Sequence, residues 1–159
     1  ESGEELPDLL GSILLEKELS IATAESLTAG MMAARIVETS GASRYYKGGV
    51  VAYETAQKTS LLDVPAELIE THGVVSQAVA KAMAKGARER LGTDVALSTT
   101  GLAERDQKEG TFPHAWVAFA TADGVEARHV RLYGDRNETR ARCADAAMIL
   151  AVKQLGKKG

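Results

Sequence analysis

Two periodicities alternate along this chain, and that alternation restricts its fold more than any other feature. Helical spacing aligns Leu6, Leu9, Leu10, Ile13 and Leu14, which predicts a helix over residues 4–17. A short strand is expected at 19–24, then a helix over 28–39 ending near Gly41. The run Gly48-Gly49-Val50-Val51-Ala52-Tyr53 is β-rich and reads as a buried strand. Short helices at 56–62 and 66–71 flank Pro65. Ser76 stands where it can cap a helix to about Leu91, with Val79, Met83, Ala87 and Leu91 on one face. Residues 94–99 form the next strand, and a polar loop runs to about Pro113. The pattern then changes. Runs 115–121 and 125–132 are joined by Ala122-Asp123-Gly124, and Asp-Gly is a hairpin signal. Asp135 and Glu138, at capping-box spacing, open a last helix that stops near Gly156. Strand–helix alternation followed by a hairpin implies an α/β fold with a mixed, mostly parallel sheet and helices on both faces.

Size and composition agree with one domain over 1–159. The 159 residues are 45% hydrophobic and 26% charged, enough for an ordinary core. Aromatics make up only 4%, so aliphatic and alanine packing must fill the interior. The net charge of -3 and the scattered basic residues exclude a large nucleic-acid footprint. Cys143 is the only cysteine, which excludes an intrachain disulfide and a cysteine zinc site. A lone thiol suits a reducing compartment, and the expectation for Cys143 is a small buried residue on a helix. No apolar run approaches the roughly 20 residues of a membrane span, and no basic-then-apolar leader is present. The opening Glu1-Ser2-Gly3 reads as a processed end or a cloning remnant. A cytoplasmic location is expected, with no membrane partner.

Parallel sheets place sites beyond the carboxyl ends of their strands. Three such ends stand out: before Ser26, at Tyr53, and before Thr100-Gly101. Ser26 follows a strand and precedes a helix. It is either a helix cap or a hydroxyl set near free N–H groups that can hold an anion. Lys58 is either a solvated helix lysine or a buried base, since lysine loses its proton more readily when desolvated. A tyrosine hydroxyl at Tyr53 can relay the proton. His72, His114 and His129 lack motif spacing with Ser26. The five-residue Tyr53–Lys58 interval and the lack of a Gly-x-Gly-x-x-Gly segment argue against a nicotinamide dehydrogenase. Arg140 is either a surface arginine beside Arg136 and Arg142 or a bidentate phosphate ligand.

Taken in order, these segments resemble the CinA C-terminal domain family. Ala24-Glu25-Ser26-Leu27-Thr28-Ala29-Gly30 is similar to its Ala-Glu-Ser-Cys-Thr-Gly-Gly segment. Gly48-Gly49-Val50-Val51-Ala52-Tyr53 with Lys58 resembles its Gly-Gly-Val-Val-x-Tyr and Lys. Leu62-Asp63-Val64-Pro65, His72-Gly73-Val74-Val75-Ser76 and Thr100-Gly101-Leu102-Ala103 continue the likeness, over roughly 5–155. The resemblance implies a three-layer α/β/α sandwich. It also implies deamidation of nicotinamide mononucleotide to nicotinate mononucleotide and ammonia, as part of pyridine nucleotide salvage. Ser26 would be the nucleophile and Lys58 the general base, assisted by Tyr53. Thr28, Gly30, Thr100, Gly101 and Arg140 fall at positions that bind or orient the nucleotide. The scheme uses no metal and no cofactor; its partner is the small nucleotide substrate, and a homo-oligomer is left open.

The chain departs from the family pattern in four places. Leu27 replaces Cys, and Ala29 replaces Gly. Glu104-Arg105-Asp106-Gln107-Lys108-Glu109-Gly110 replaces a glycine-rich loop, and the run from Gly110 to Val117 also differs. Glycine N–H groups can close on a ligand at dihedral angles other residues resist, whereas this loop adds about one net negative charge. The loop is expected to be exposed and mobile without ligand. The alternative to an active amidohydrolase is therefore a weak or inactive paralogue that binds a nucleotide as a sensor or interaction module.

Overall fold

The computed structural model describes residues 5–157. Helix α1 (Leu6–Lys17) leads into strand β1 (Ile21–Glu25) and helix α2 (Met31–Ile36). A short 3₁₀ turn over Ala42–Arg44 precedes β2 (Tyr46–Val51), and α3 (Thr55–Leu62), α4 (Ala66–His72) and α5 (Gln77–Leu91) follow. The chain ends with β3 (Val95–Leu102), β4 (His114–Thr121), β5 (Gly124–Arg131) and α6 (Arg136–Gly156). Glu4, the first residue of the expected 4–17 helix, lies outside the described residues, as does the Glu1-Ser2-Gly3 opening. Among the described residues no helix is long and apolar enough to cross a membrane.

The five strands form one mixed sheet in the order β2-β1-β3-β4-β5. Strand β1 pairs in parallel with β2 and β3, while β3–β4 and β4–β5 are antiparallel. Parallel and antiparallel pairings are thus equal in number, where the sequence pattern suggested a parallel majority. The C-terminal hairpin accounts for the difference, because it adds two antiparallel neighbours to a three-strand parallel unit. Strand β2 also differs from expectation. It is an edge strand with every second residue exposed, not a buried one, and it ends two residues before Tyr53.

Helices cover both faces. Leu10 and Leu14 of α1, Met32 and Ile36 of α2, and Met148 of α6 pack on one face with Leu97 and Phe119. On the other face α5 lies against Ala22, Ala24 and Ala96 through Val79, Met83 and Ala87. Ala80 and Ala84 meet Ala118 and Ala120 farther along the sheet. Small residues on both surfaces let α5 sit close to the sheet, which is how a chain poor in aromatics reaches dense packing. Cys143 is a free, buried thiol in this core, and burial pushes it up to about 12. At that value the thiol is not a nucleophile.

The helix starts follow the local chemistry. The Ser76 hydroxyl accepts the Val79 N–H at 3.2 Å. Asp135 and Glu138 form a reciprocal capping box, with N–H···O distances of 2.8 and 3.0 Å. Helix α2 starts later than the expected residue 28 because Ala29 and Gly30 take φ of 44° and 96°, which a right-handed helix cannot contain, and it ends at Ile36 rather than near 39.

One close approach fixes α3, the helix that carries Lys58. Gly86 of α5 sits so near the Leu62 carbonyl that an added Cβ would collide with backbone. Gly86→Ala is therefore expected to destabilise the fold by about 1–3 kcal/mol, since overpacking against backbone cannot relax by a rotamer change. A urea midpoint equal to that of the unaltered protein would show that α3 and α5 can separate freely.

Candidate active site

The carboxyl ends of β1, β2 and β3 point the same way because these strands are parallel. Beyond them lies a cavity of about 410 Å³. The chain leaves β1 toward β2 and returns past it to β3, so the cavity stands where the connections diverge, the usual ligand position in such sheets. Its volume is within the range of small-molecule sites.

Ser26 and Lys58 meet in this cavity. Ser26 is the first residue after β1 and only 7% exposed. Its N–H donates to the Thr99 carbonyl at 3.1 Å, which ties the turn to the end of β3. Lys58 comes from α3, 1% exposed, and its Nζ donates to Ser26 Oγ at 3.0 Å. The same Nζ donates to the carbonyls of Ala52 at 2.8 Å and Tyr53 at 3.2 Å. Burial lowers Lys58 from the ordinary lysine value of 10.5. Among the described residues no carboxylate pairs with Nζ to counter that desolvation. None of the three histidines lines the cavity. His114 and His129 instead face each other across the β4–β5 pair, with ring nitrogens 2.9 Å apart.

Tyr53 lines the cavity by a different route from the one the sequence suggested. Its carbonyl, not its hydroxyl, holds Lys58. The side chain is 57% exposed, and its hydroxyl accepts from Arg136 Nη2 at 3.1 Å. Thr100 and Gly101 also line the cavity. The Thr100 hydroxyl donates to the Val74 carbonyl at 2.9 Å, joining β3 to the segment before α5. Gly101 runs so close to Ala115 and the His114 carbonyl that a side chain there would disturb the β3–β4 pairing.

Thr28, Gly30 and Arg140 lie behind the cavity wall rather than on it. The buried Thr28 hydroxyl pairs with that of Thr99 at 2.8 Å. Gly30 supplies the left-handed step before α2. Arg140 Nε donates to the Leu27 carbonyl at 2.7 Å and Nη2 to the Thr28 carbonyl at 3.2 Å. These three residues brace the turn that presents Ser26. Ala29, in the same turn, holds a left-handed conformation that costs an L residue roughly 1–2 kcal/mol.

Sequence reasoning missed Glu25 and passed over Arg136 as a surface neighbour of Arg140. The Glu25 side chain is buried, and its carboxylate accepts the N–H groups of Met32 at 2.8 Å and Ala33 at 3.1 Å. The free helix-start N–H groups expected beside Ser26 are thus taken by an internal anion. An acidic residue at a strand end, a short loop ahead of a helix, was the available signal. Arg136 is the first residue of α6, and its side chain lines the mouth of the cavity. The loop 104–110 contributes Glu104 and Arg105 to the same wall. Most of it is exposed, as expected. It is tied around Asp106, whose side chain accepts the N–H groups of Lys108 and Glu109.

The site thus holds a serine hydroxyl hydrogen-bonded to a desolvated lysine at the sheet's switch point, an arrangement of the kind that Ser–Lys nucleophilic sites use. The chain belongs to the CinA C-terminal domain family, whose profile matches residues 3–155. It is 50% identical over 139 residues to a CinA-like protein of Mycolicibacterium vanbaalenii, covering 86% of this chain and 33% of the relative. It is 39% identical to a putative competence-damage inducible protein of Symbiobacterium thermophilum, covering 96% of this chain and 38% of the relative. The chain therefore spans little more than a third of the length of these curated relatives. Among solved structures, a CinA superfamily protein from Klebsiella pneumoniae superposes with a TM-score of 0.88 at 27% identity, covering 96% and 98% of the two chains. The competence/damage inducible protein CihA from Agrobacterium tumefaciens gives 0.85 at 29% identity, covering 96% of each chain.

Proposed function

We propose that this domain is a cytoplasmic amidohydrolase that converts nicotinamide mononucleotide to nicotinate mononucleotide and ammonia. The observation that carries the reading is the buried Lys58 Nζ at 3.0 Å from Ser26 Oγ. A neutral amine has two N–H donors and one lone pair. In the structure Nζ donates to all three neighbours, the Ala52 and Tyr53 carbonyls and Ser26 Oγ. When the amine is neutral, its two N–H groups can stay on the carbonyls, and the contact to Ser26 then reverses, with the lone pair taking the hydroxyl proton.

Ser26 Oγ attacks the carboxamide carbon while its proton passes to Lys58. The C–N bond then breaks, and Lys58 returns the proton to the leaving nitrogen, releasing ammonia. Water attacks the acyl ester, Lys58 takes its proton, and nicotinate mononucleotide leaves as Ser26 is restored. Incubation of the purified protein with nicotinamide mononucleotide, followed by ammonia and product analysis, tests the scheme; absence of both products overturns it. A second reading, a nucleotide-binding module with little turnover, is favoured by the charged residues 104 and 105 in the cavity wall. It requires binding of the mononucleotide without ammonia.

The base must be neutral to act, so kcat should rise with pH through the lowered Lys58 pKa and level off below 10.5. Lys58→Arg should remove both the activity and that limb, because a guanidinium keeps its proton. A kcat that shows no rise with pH anywhere below 10.5 would exclude Lys58 as the base. Stability should carry the same signature. The ammonium is disfavoured only in the folded chain, so stability increases with pH from the folded Lys58 value up to 10.5.

A further inference from the structure

At the cavity mouth, one arginine bridges two segments. Arg136 Nη2 donates to the Tyr53 hydroxyl at 3.1 Å, and Nη1 donates to Glu104 Oε1 at 2.8 Å. The first partner follows β2 and the second lies in the loop after β3, so the strap Tyr53–Arg136–Glu104 crosses the entrance. We propose that Glu104 is an internal competitor for the anion subsite of this cavity, occupying on Arg136 the place that a phosphate monoester must take.

Three observations carry this. Carboxylate and phosphate present similar paired oxygens to a guanidinium, so a group that receives one receives the other. The alternative cation of α6, Arg140, has its donors committed to the Leu27 and Thr28 carbonyls and to Asn137. Arg105, the other arginine of the wall, lies over the Phe112 ring, 4.8 Å from its centroid. Arg136 is therefore the wall arginine whose visible anionic partner can leave. The Arg136 and Glu104 side chains are 50% and 58% exposed, and a pair this wet is weak enough to exchange. Released from Arg136, Glu104 is solvated at once, while the Tyr53 hydroxyl still orients the guanidinium. The loop that replaces a glycine-rich segment would thus gate the site with a charge. A ligand carrying a phosphate opens the strap, and one without a phosphate leaves it closed.

The assignment of the phosphate to a nicotinamide mononucleotide rests on the proposed amidohydrolase reading, but the subsite itself can be tested without an amide. The probes are ribose 5-phosphate and ribose, titrated at low ionic strength and followed by chemical-shift changes. Glu104→Gln keeps the side-chain length and removes the charge. It should tighten ribose 5-phosphate by about 1.5- to fivefold, the range expected when an exposed ion pair no longer competes, and leave ribose unchanged. Arg136→Gln should weaken ribose 5-phosphate at least about tenfold. In that background Glu104→Gln should give no further tightening. Equal affinity of the unaltered protein and Glu104→Gln would overturn the proposal. So would a gain that persists without Arg136, or no binding by either protein. Ammonia release with a flat ribose 5-phosphate response would sink the competitor and leave the Ser26–Lys58 chemistry standing. The expected response without ammonia release would do the reverse.

Discussion

Ser26→Ala should reduce ammonia release from nicotinamide mononucleotide by roughly 10⁴-fold or more while leaving the fold intact. Among the described residues, the Ser26 hydroxyl is the one hydrogen-bond partner of the buried Lys58 Nζ besides two backbone carbonyls, so its loss removes the proposed nucleophile without disturbing the other contacts. Lys58→Met should come close to the same loss, because the serine would keep its proton. That variant fills similar volume and removes a desolvated amine. Its thermal midpoint should be no lower than that of the unaltered protein, although the Ala52 and Tyr53 carbonyls lose a donor. The double variant should be no slower than the worse single, since the two groups act as a unit. Turnover near normal in Ser26→Ala would end the assignment. A double variant far below both singles would show that the two residues work separately.

The second large effect is expected at Glu25, which is buried and sits directly before Ser26. Its two oxygens each accept one backbone N–H at the start of α2. Glu25→Ala would strand both donors in the interior, and a loss of about 3 kcal/mol or more is expected. Glu25→Gln is the sharper test. Whichever way the amide turns, one end presents an NH₂ to an N–H that needs an acceptor, so about 1–3 kcal/mol should be lost despite near-identical shape. Turnover should fall with stability, because the carboxylate anchors the far side of the turn that Arg140 and Thr99 hold from the near side. Urea unfolding and ammonia release together decide this. A Glu25→Gln protein as stable and as active as the parent would mean that water serves the two N–H groups equally well.

Local interactions are what the sequence by itself determined. Apolar period, turn chemistry and caps act over a few residues, so the α5 start at Ser76, the Asp123-Gly124 hairpin and the Asp135–Glu138 box could all be read directly. The ordered run of motifs also fixed the family and singled out Ser26 and Lys58. It could not say that Lys58 is buried, because a helix lysine in an unremarkable stretch carries no mark of what will cover it. Long-range packing decided that. Parallel pairing of β1 with β2 and β3 brings three strand ends together, and the Gly86 contact presses α3 inward. Tertiary structure likewise divided the two arginines of α6. Arg140 lies four positions after Arg136, about one helical turn. Yet Arg140 meets the carbonyls of the Ser26 turn, while Arg136 reaches the cavity mouth and Glu104. Hydrogen-bond partners 113 and 32 positions away in the chain made that distinction, and partners so distant lie beyond any local pattern.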